Sequence, residues 1–183
     1  MALIVERKLD VVFLQEVKLA SDEINGRLNH LGFSSSVNHS LDTSKPGIAM
    51  LWRTSLHVTN VINIVASRAQ VAVLGKYTLL NIFAPSGSNA KHERNLFFFG
   101  QDIFRAFDLF PHIAWVLAGD YNSVLIPQHV QNGVGFHQKY CSSLANLVKV
   151  RNLVDIFRSV YPTVLEFTFN RLMLLLLGWT GST

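Results

Sequence analysis

Ile113-Ala114-Trp115-Val116-Leu117-Ala118-Gly119-Asp120-Tyr121-Asn122 is an apolar run that stops abruptly at Gly-Asp-x-Asn. Such a run is the pattern of a buried strand that delivers a carboxylate and a carboxamide at its carboxyl end. A spacing of two places both on the same side of an extended chain. Open α/β sheets bind their ligands outside the carboxyl ends of their strands. Earlier in the chain, Asp10-Val11-Val12-Phe13-Leu14-Gln15-Glu16 has the same grammar, an apolar strand closed by a polar pair with the carboxylate last. Two carboxylates at two strand ends point to a divalent-metal site, because hard dications take oxygen ligands.

Around these two stretches the chain alternates strands with helices. A helix is expected over residues 2–8. Another is expected over residues 21–31, with Ser21 as N-cap, Asp22 and Glu23 in its first turn and Gly32 terminating it. Strands are expected over residues 33–39, 47–53, 56–64, 70–75 and 77–83, with Ser44-Lys45-Pro46-Gly47 as a turn and Gly75-Lys76 as a hairpin. Asn89 is placed to cap one long helix over residues 90–110. Its apolar stripe is Leu96, Phe99, Ile103, Phe107 and Phe110, widened by Phe97 and Phe104, which reads as core rather than as a stacking platform for bases. Beyond the Gly-Asp-Tyr-Asn strand, residues 127–137 have loop composition. Residues 140–150 and 153–161 read as helices, the second stopped by Pro162, and residues 167–169 as a short strand.

With 183 residues, 49% of them hydrophobic, the chain can bury one sizeable core. The mean hydropathy of +0.27 is high, yet the longest apolar run, residues 172–177, is far shorter than the roughly 20 residues needed to span a bilayer. No secretory signal pattern is present: Met1-Ala2-Leu3-Ile4-Val5 meets Glu6-Arg7-Lys8 at once. A single cysteine, Cys141, excludes an internal disulfide and a cysteine-rich zinc site. The expectation is an intracellular protein, nuclear or cytoplasmic. A net charge of +4 and a pI near 9.4 are compatible with a polyanionic partner.

In order and spacing, six segments resemble the endonuclease/exonuclease/phosphatase superfamily, and within it the apurinic-type endonuclease domain of LINE-like, non-LTR retrotransposons. They are Asp10 to Glu16, Gly47-Ile48-Ala49-Met50, Leu80-Asn81-Ile82-Phe83-Ala84-Pro85-Ser86-Gly87, Leu117 to Asn122, Leu153-Val154-Asp155-Ile156-Phe157-Arg158, and Phe167-Thr168. The resemblance implies a four-layer α/β sandwich, two packed mixed sheets flanked by helices. It also implies Mg²⁺-dependent cleavage of DNA phosphodiesters, with Mn²⁺ as a substitute, to nick a target for reverse transcription by a reverse transcriptase domain of the intact element.

Carried over by residue, Glu16 would be a metal ligand, Asp120 would orient or deprotonate the attacking water, and Asn122 would hold the water or the phosphate. Gln15 would support them. Lys91 and Arg94, with His92, open the long helix and could touch a DNA backbone, although a solvated helix face is the reading about twice as favoured. Asp155 and Arg158 read as a structural pair within a helix turn. The seven histidines show no metal-ligand spacing.

Three departures imply impaired activity. Phe83 stands where many relatives carry a phosphate-contacting Tyr, and loss of one such donor costs roughly 3 kcal/mol. The family's first strand, with an Asn ligand, and its last strands, with a final His, have no counterpart. Residues 1–169 are therefore expected to form an incomplete domain with exposed sheet edges prone to self-association. Residues 170–183 would be a non-homologous tail. A permissible coding string for that tail, read in another frame, encodes Ala-Ser-Arg-Leu-Asp-Arg-Ile-Tyr, a family segment, so a frameshift near Arg171 is expected. The alternatives are a catalytically inactive remnant that binds nucleic acid weakly, and a phosphatase of the same superfamily.

Overall fold

The computed structural model of the chain describes residues 8–39, 45–87, 89–111, 114–126, 135–162 and 175–177. In them two β-sheets face one another, each with helices on its outer side. The first sheet holds β1 (Val11–Val17), β2 (Phe33–Asn38) and β3 (Gly47–Arg53) in the antiparallel order β1-β3-β2. The second holds β4 (Val58–Val65), β5 (Ala69–Leu74), β6 (Tyr77–Phe83), β7 (Ala114–Asp120), β8 (Leu153–Asp155) and β9 (Leu175–Leu177) in the order β4-β5-β6-β7-β9-β8. Strands joined by short turns pair antiparallel, as β5 and β6 do around Gly75-Lys76. β6 and β7 pair in parallel, which requires a long crossover. Helices α2 (Lys91–Phe99) and α3 (Gln101–Leu109) supply it.

The period of two along each strand sorts the side chains into layers. Below the first sheet, Ile24 and Leu28 of α1 (Ser21–Leu28) bury against Val17, Phe33, Ala49 and Leu51. Between the sheets lie Met50, Ala72 and Leu79, with Phe13, Trp52 and Val116 around them. The largest core lies outside the second sheet. There Phe98, Ile103 and Phe107 meet Leu80, Ile82, Trp115 and Leu117, joined by Leu144 and Leu147 from α5 (Ser142–Val150). The Phe107 and Trp115 rings are 4.3 Å apart. The fold is the expected mixed α/β sandwich of two sheets flanked by helices.

Several local expectations fail. The single helix over residues 90–110 breaks at Gly100, whose ψ of 141° is extended. The break resets the helical phase, so Phe98, Ile103 and Phe107 face inward while Leu96 and Phe99 are 56% and 70% exposed. Neither predicted cap holds. Ala90 occupies the N-cap of α2, and Ala20 that of α1, where its N–H donates to Glu23 Oε2 at 2.9 Å. The α1 stretch stops at Leu28 and continues as a 3₁₀ turn, Asn29–Leu31, before Gly32 at φ 73° ends it as expected.

The stretch 153–161 opens as strand β8, and only α6 (Ile156–Val160) is helical. Asp155 and Arg158 meet there as a cap, with Asp155 Oδ1 accepting from the Arg158 N–H at 3.1 Å. α5 begins two residues later than expected. Asn95 of α2 caps it from outside, its Oδ1 accepting from Ser143 N at 3.1 Å and Ser142 Oγ at 3.0 Å. Residues 136–139, partly within the expected loop, form α4 (Phe136–Lys139). The expected helix over residues 2–8, Lys8 apart, and the strand at residues 167–169 lie outside the described residues. Leu175–Leu177, in the segment set apart as a tail, runs between β7 and β8 and pairs with both.

Candidate active site

β7 reaches its carboxyl end through Gly119, which lies opposite Ile82 of β6. Its φ of +137° is open to glycine alone, and a Cβ there would stand 1.9 Å from the Ile82 carbonyl oxygen. The close approach lets the segment from Asp120 to Asn122 curl over the end of β6. The Ala84 N–H donates to Asp120 O at 2.8 Å, and Asn122 Nδ2 donates to Ala84 O at 2.9 Å. Asp120 Oδ1 accepts from the Asn122 N–H at 2.8 Å, so an Asx turn beyond the end of the strand, rather than the expected extended chain, brings the exposed carboxylate and the carboxamide together. Asn122 takes φ 46°, a left-handed conformation that Asn tolerates. Tyr121 points the other way. It is 2% exposed and stacks on Phe98 at 6.1 Å, and burial, with the Asp155 carboxylate nearby, pushes its phenol well above its usual range. An inward anchor between two outward polar groups fixes the turn.

Glu16 arrives from the other sheet. β1 keeps register with β3 through Leu14 and loses it before Val17, so Gln15 and Glu16 lie in a bulge. Glu16 is exposed at φ 56°, strained for a residue with a Cβ, as side chains aimed at functional sites often are. It borders an open cleft of about 490 Å³ on the α1 side of the first sheet, where Lys18 and Arg27 join Ile24, Leu28 and Leu51 in the lining and which neither Asp120 nor Asn122 lines. Gln15 Nε2 donates to Asn81 Oδ1 at 2.7 Å. Asn81 lies opposite Ala118, two residues before Asp120. Glu16 and Asp120 therefore stand at the same end of the sandwich, one from each sheet.

The exposed Glu16 carboxylate is a hard-oxygen donor, and an ion such as Mg²⁺ takes one or two carboxylates and keeps several waters. Among the described residues no group of three or more His, Cys, Asp or Glu side chains is placed to hold a metal.

The basic residues are placed differently. Lys91 is exposed, but its Nζ donates to His137 O at 2.7 Å and ties α2 to α4. Arg94 is 2% exposed, and its guanidinium donates to Gly87 O at 3.1 Å, Gln138 O at 3.1 Å and Pro85 O at 3.5 Å. Buried among three carbonyls, it braces the Pro85–Gly87 loop from inside the protein, where no DNA phosphate reaches. Arg94→Met is expected to lower stability by about 2 kcal/mol, since hydrogen bonds from charged donors contribute roughly 1.5–3 kcal/mol. The melting temperature should fall by roughly 4–8 °C. A thermal melt unchanged within about 1 °C would contradict this role.

Two neighbours of the site have no role assigned from the sequence. Arg68 lays its guanidinium over the Phe83 ring at 4.9 Å and donates to Ala84 O at 3.3 Å, the carbonyl that Asn122 also uses. Burial lowers its pKa, with Glu93 opposing. Asn81 is the other. A carboxamide inside the apolar run Leu79-Leu80-Asn81-Ile82-Phe83 is the one signal in the sequence that could have found it.

The family model described as Endonuclease/Exonuclease/phosphatase family matches residues 1–135. The structure is similar to an AP endonuclease from Archaeoglobus fulgidus, with a TM-score of 0.75 at 14% identity over 96% of this chain and 79% of that one. It is also similar to a 3′–5′ exonuclease from Neisseria meningitidis, with a TM-score of 0.71 at 20% identity over 88% and 68%. A second structure of that Neisseria enzyme, described as a 3′ phosphatase and bound to a product DNA hairpin, gives a TM-score of 0.70 at 19% identity over 88% and 68%. Among curated proteins, none matches. A sandwich whose two sheets each bring a carboxylate to one end, together with a family model spanning most of the chain, gives one conclusion: the chain belongs to the endonuclease/exonuclease/phosphatase family.

Proposed function

We propose that this protein is a Mg²⁺-dependent DNA endonuclease of the LINE-like retrotransposon type, which nicks one strand to expose a 3′ hydroxyl for reverse transcription by a partner domain of the parent element. The observation that carries the reading is the Asp120–Asn122 turn, braced on Ala84, at the same end of the sandwich as Glu16. Asp120 keeps one carboxylate oxygen to orient and deprotonate a water, since the other accepts from Asn122 N. Asn122 gives one amide hydrogen to Ala84 and has a second for a phosphate oxygen. The water attacks phosphorus, its proton passes to Asp120, the bond to the 3′ oxygen breaks, and the departing oxygen takes a proton from solvent, leaving a 3′ hydroxyl and a 5′ phosphate. Mg²⁺, or Mn²⁺, bound at Glu16 would offset charge on the phosphate and on the departing oxygen.

Phe83 is almost fully buried beneath Arg68 and brings no hydroxyl to this end, so turnover is expected to be slow. The segments at residues 81–88 and 153–158 favour the retrotransposon type over a phosphatase of the same family, and the net charge of +4 is compatible with DNA. Affinity for a labelled duplex, measured in EDTA from 50 to 200 mM NaCl, should fall with a log–log slope of about −3 or steeper, each neutralised phosphate contributing roughly −0.9. Nicks made with Mg²⁺ should be sealed by DNA ligase. A flat salt dependence would overturn the nuclease reading in favour of a phosphatase.

A further inference from the structure

Asn81 lies in the middle of β6, 0% exposed, in the layer between the sheets that Met50, Ala72 and Leu79 otherwise fill. A carboxamide here costs desolvation that an apolar residue would avoid, unless its hydrogen bonds are made. They are, and every one crosses to the other sheet. Nδ2 donates to Ala49 O at 2.9 Å and to Leu14 O at 3.3 Å, and Oδ1 accepts from Gln15 Nε2 at 2.7 Å. Leu14 is where β1 last holds its register with β3, and Gln15 and Glu16 come next, inside the bulge. Where the β1–β3 ladder stops directing the backbone, Asn81 takes over.

Two other buried carboxamides also link the sheets. Asn38 donates to Val65 O and Ala69 O, both at 2.9 Å, and Gln70 donates to Ser36 Oγ at 2.9 Å. None of these three bonds involves β1.

We propose that Asn81 is a positioning residue for the site: it clips the end of β1 to β6 and so fixes Glu16, carried by one sheet, relative to Asp120, carried by the other. The inference rests on the metal-site part of the proposed function. Outer residues that orient a metal ligand typically change metal affinity 10–100-fold when removed.

The test is Mn²⁺ binding to the whole chain, monitored by the electron paramagnetic resonance signal of the free ion. Asn81→Ala removes a buried amide and risks the fold, so Gln15→Leu is the main variant; Asn38→Ala, which also removes a buried amide, is the control for loosened sheets, with its folding checked by circular dichroism beside wild type. Gln15→Leu should weaken Mn²⁺ binding about tenfold. It should also raise the Mg²⁺ concentration for half-maximal nicking by a similar factor while the rate at saturating Mg²⁺ changes little. Asn38→Ala should leave Mn²⁺ affinity unchanged. Wild-type affinity in Gln15→Leu, or an equal loss in Asn38→Ala, would overturn the clip, as would wild-type protein that binds no Mn²⁺. Mn²⁺ binding that is sensitive to Gln15→Leu in a protein that does not cut DNA would leave the clip standing and reject the nuclease.

Discussion

Asp120→Ala is expected to abolish Mg²⁺-dependent nicking, with a loss of roughly 10²–10⁴-fold, the usual contribution of a positioned general base. The fold should survive. Asp120 is exposed, and its side chain makes one described hydrogen bond, to the Asn122 N–H at the surface. Such a bond contributes only about 1 kcal/mol. Asp120→Asn separates the two jobs of the carboxylate. Its amide oxygen can still accept from Asn122 N and hold the turn, but it cannot take a proton from water. Activity should therefore fall about as far as in the alanine variant. Substantial nicking by Asp120→Asn would mean that Asp120 holds the turn and that another group activates the water.

Gly119→Ala should damage the protein more than any change at the polar residues. The new Cβ would stand 1.9 Å from Ile82 O and 2.8 Å from both Ile82 C and Ile82 N, all of them backbone atoms that cannot rotate aside. The φ of +137° adds strain of its own, of order 1–3 kcal/mol. β7 must move off β6, in the middle of the sheet that carries the largest core. A loss of more than about 4 kcal/mol is expected, at the severe end of single substitutions. It should appear as insoluble protein or as a large drop in the denaturant midpoint. A variant within about 1 kcal/mol of wild type would show that β6 and β7 do not approach this closely.

The strands that build the site were legible because their signals are local. β3 and β6 have the bounds expected of them, and Gly75-Lys76 closes the hairpin that its composition predicts. Polar residues closing an apolar run marked both Glu16 and the Asp120–Asn122 pair. What stayed hidden depends on partners distant in the chain. Gly100 inside an apolar repeat is compatible with a continuous helix, and only the packing of Phe98 and Ile103 on one sheet decides that the helix breaks there. Arg94 looks like any solvated charge in a first helical turn until Pro85, Gly87 and Gln138 turn their carbonyls toward it. β8 is three residues long and is a strand only through its pairing with β9. The role of Asn81 requires knowing that Leu14, Gln15 and Ala49 lie across the sheet interface.

The most direct measurement is relaxation of supercoiled plasmid by the purified chain with Mg²⁺, beside an EDTA control and the Glu16→Gln variant. The account predicts slow conversion to nicked circles that EDTA abolishes and that Glu16→Gln lowers by about two orders of magnitude or more, roughly 3 kcal/mol of transition-state stabilisation. A folded wild-type protein that leaves the plasmid supercoiled, or nicking that persists in EDTA, would contradict it.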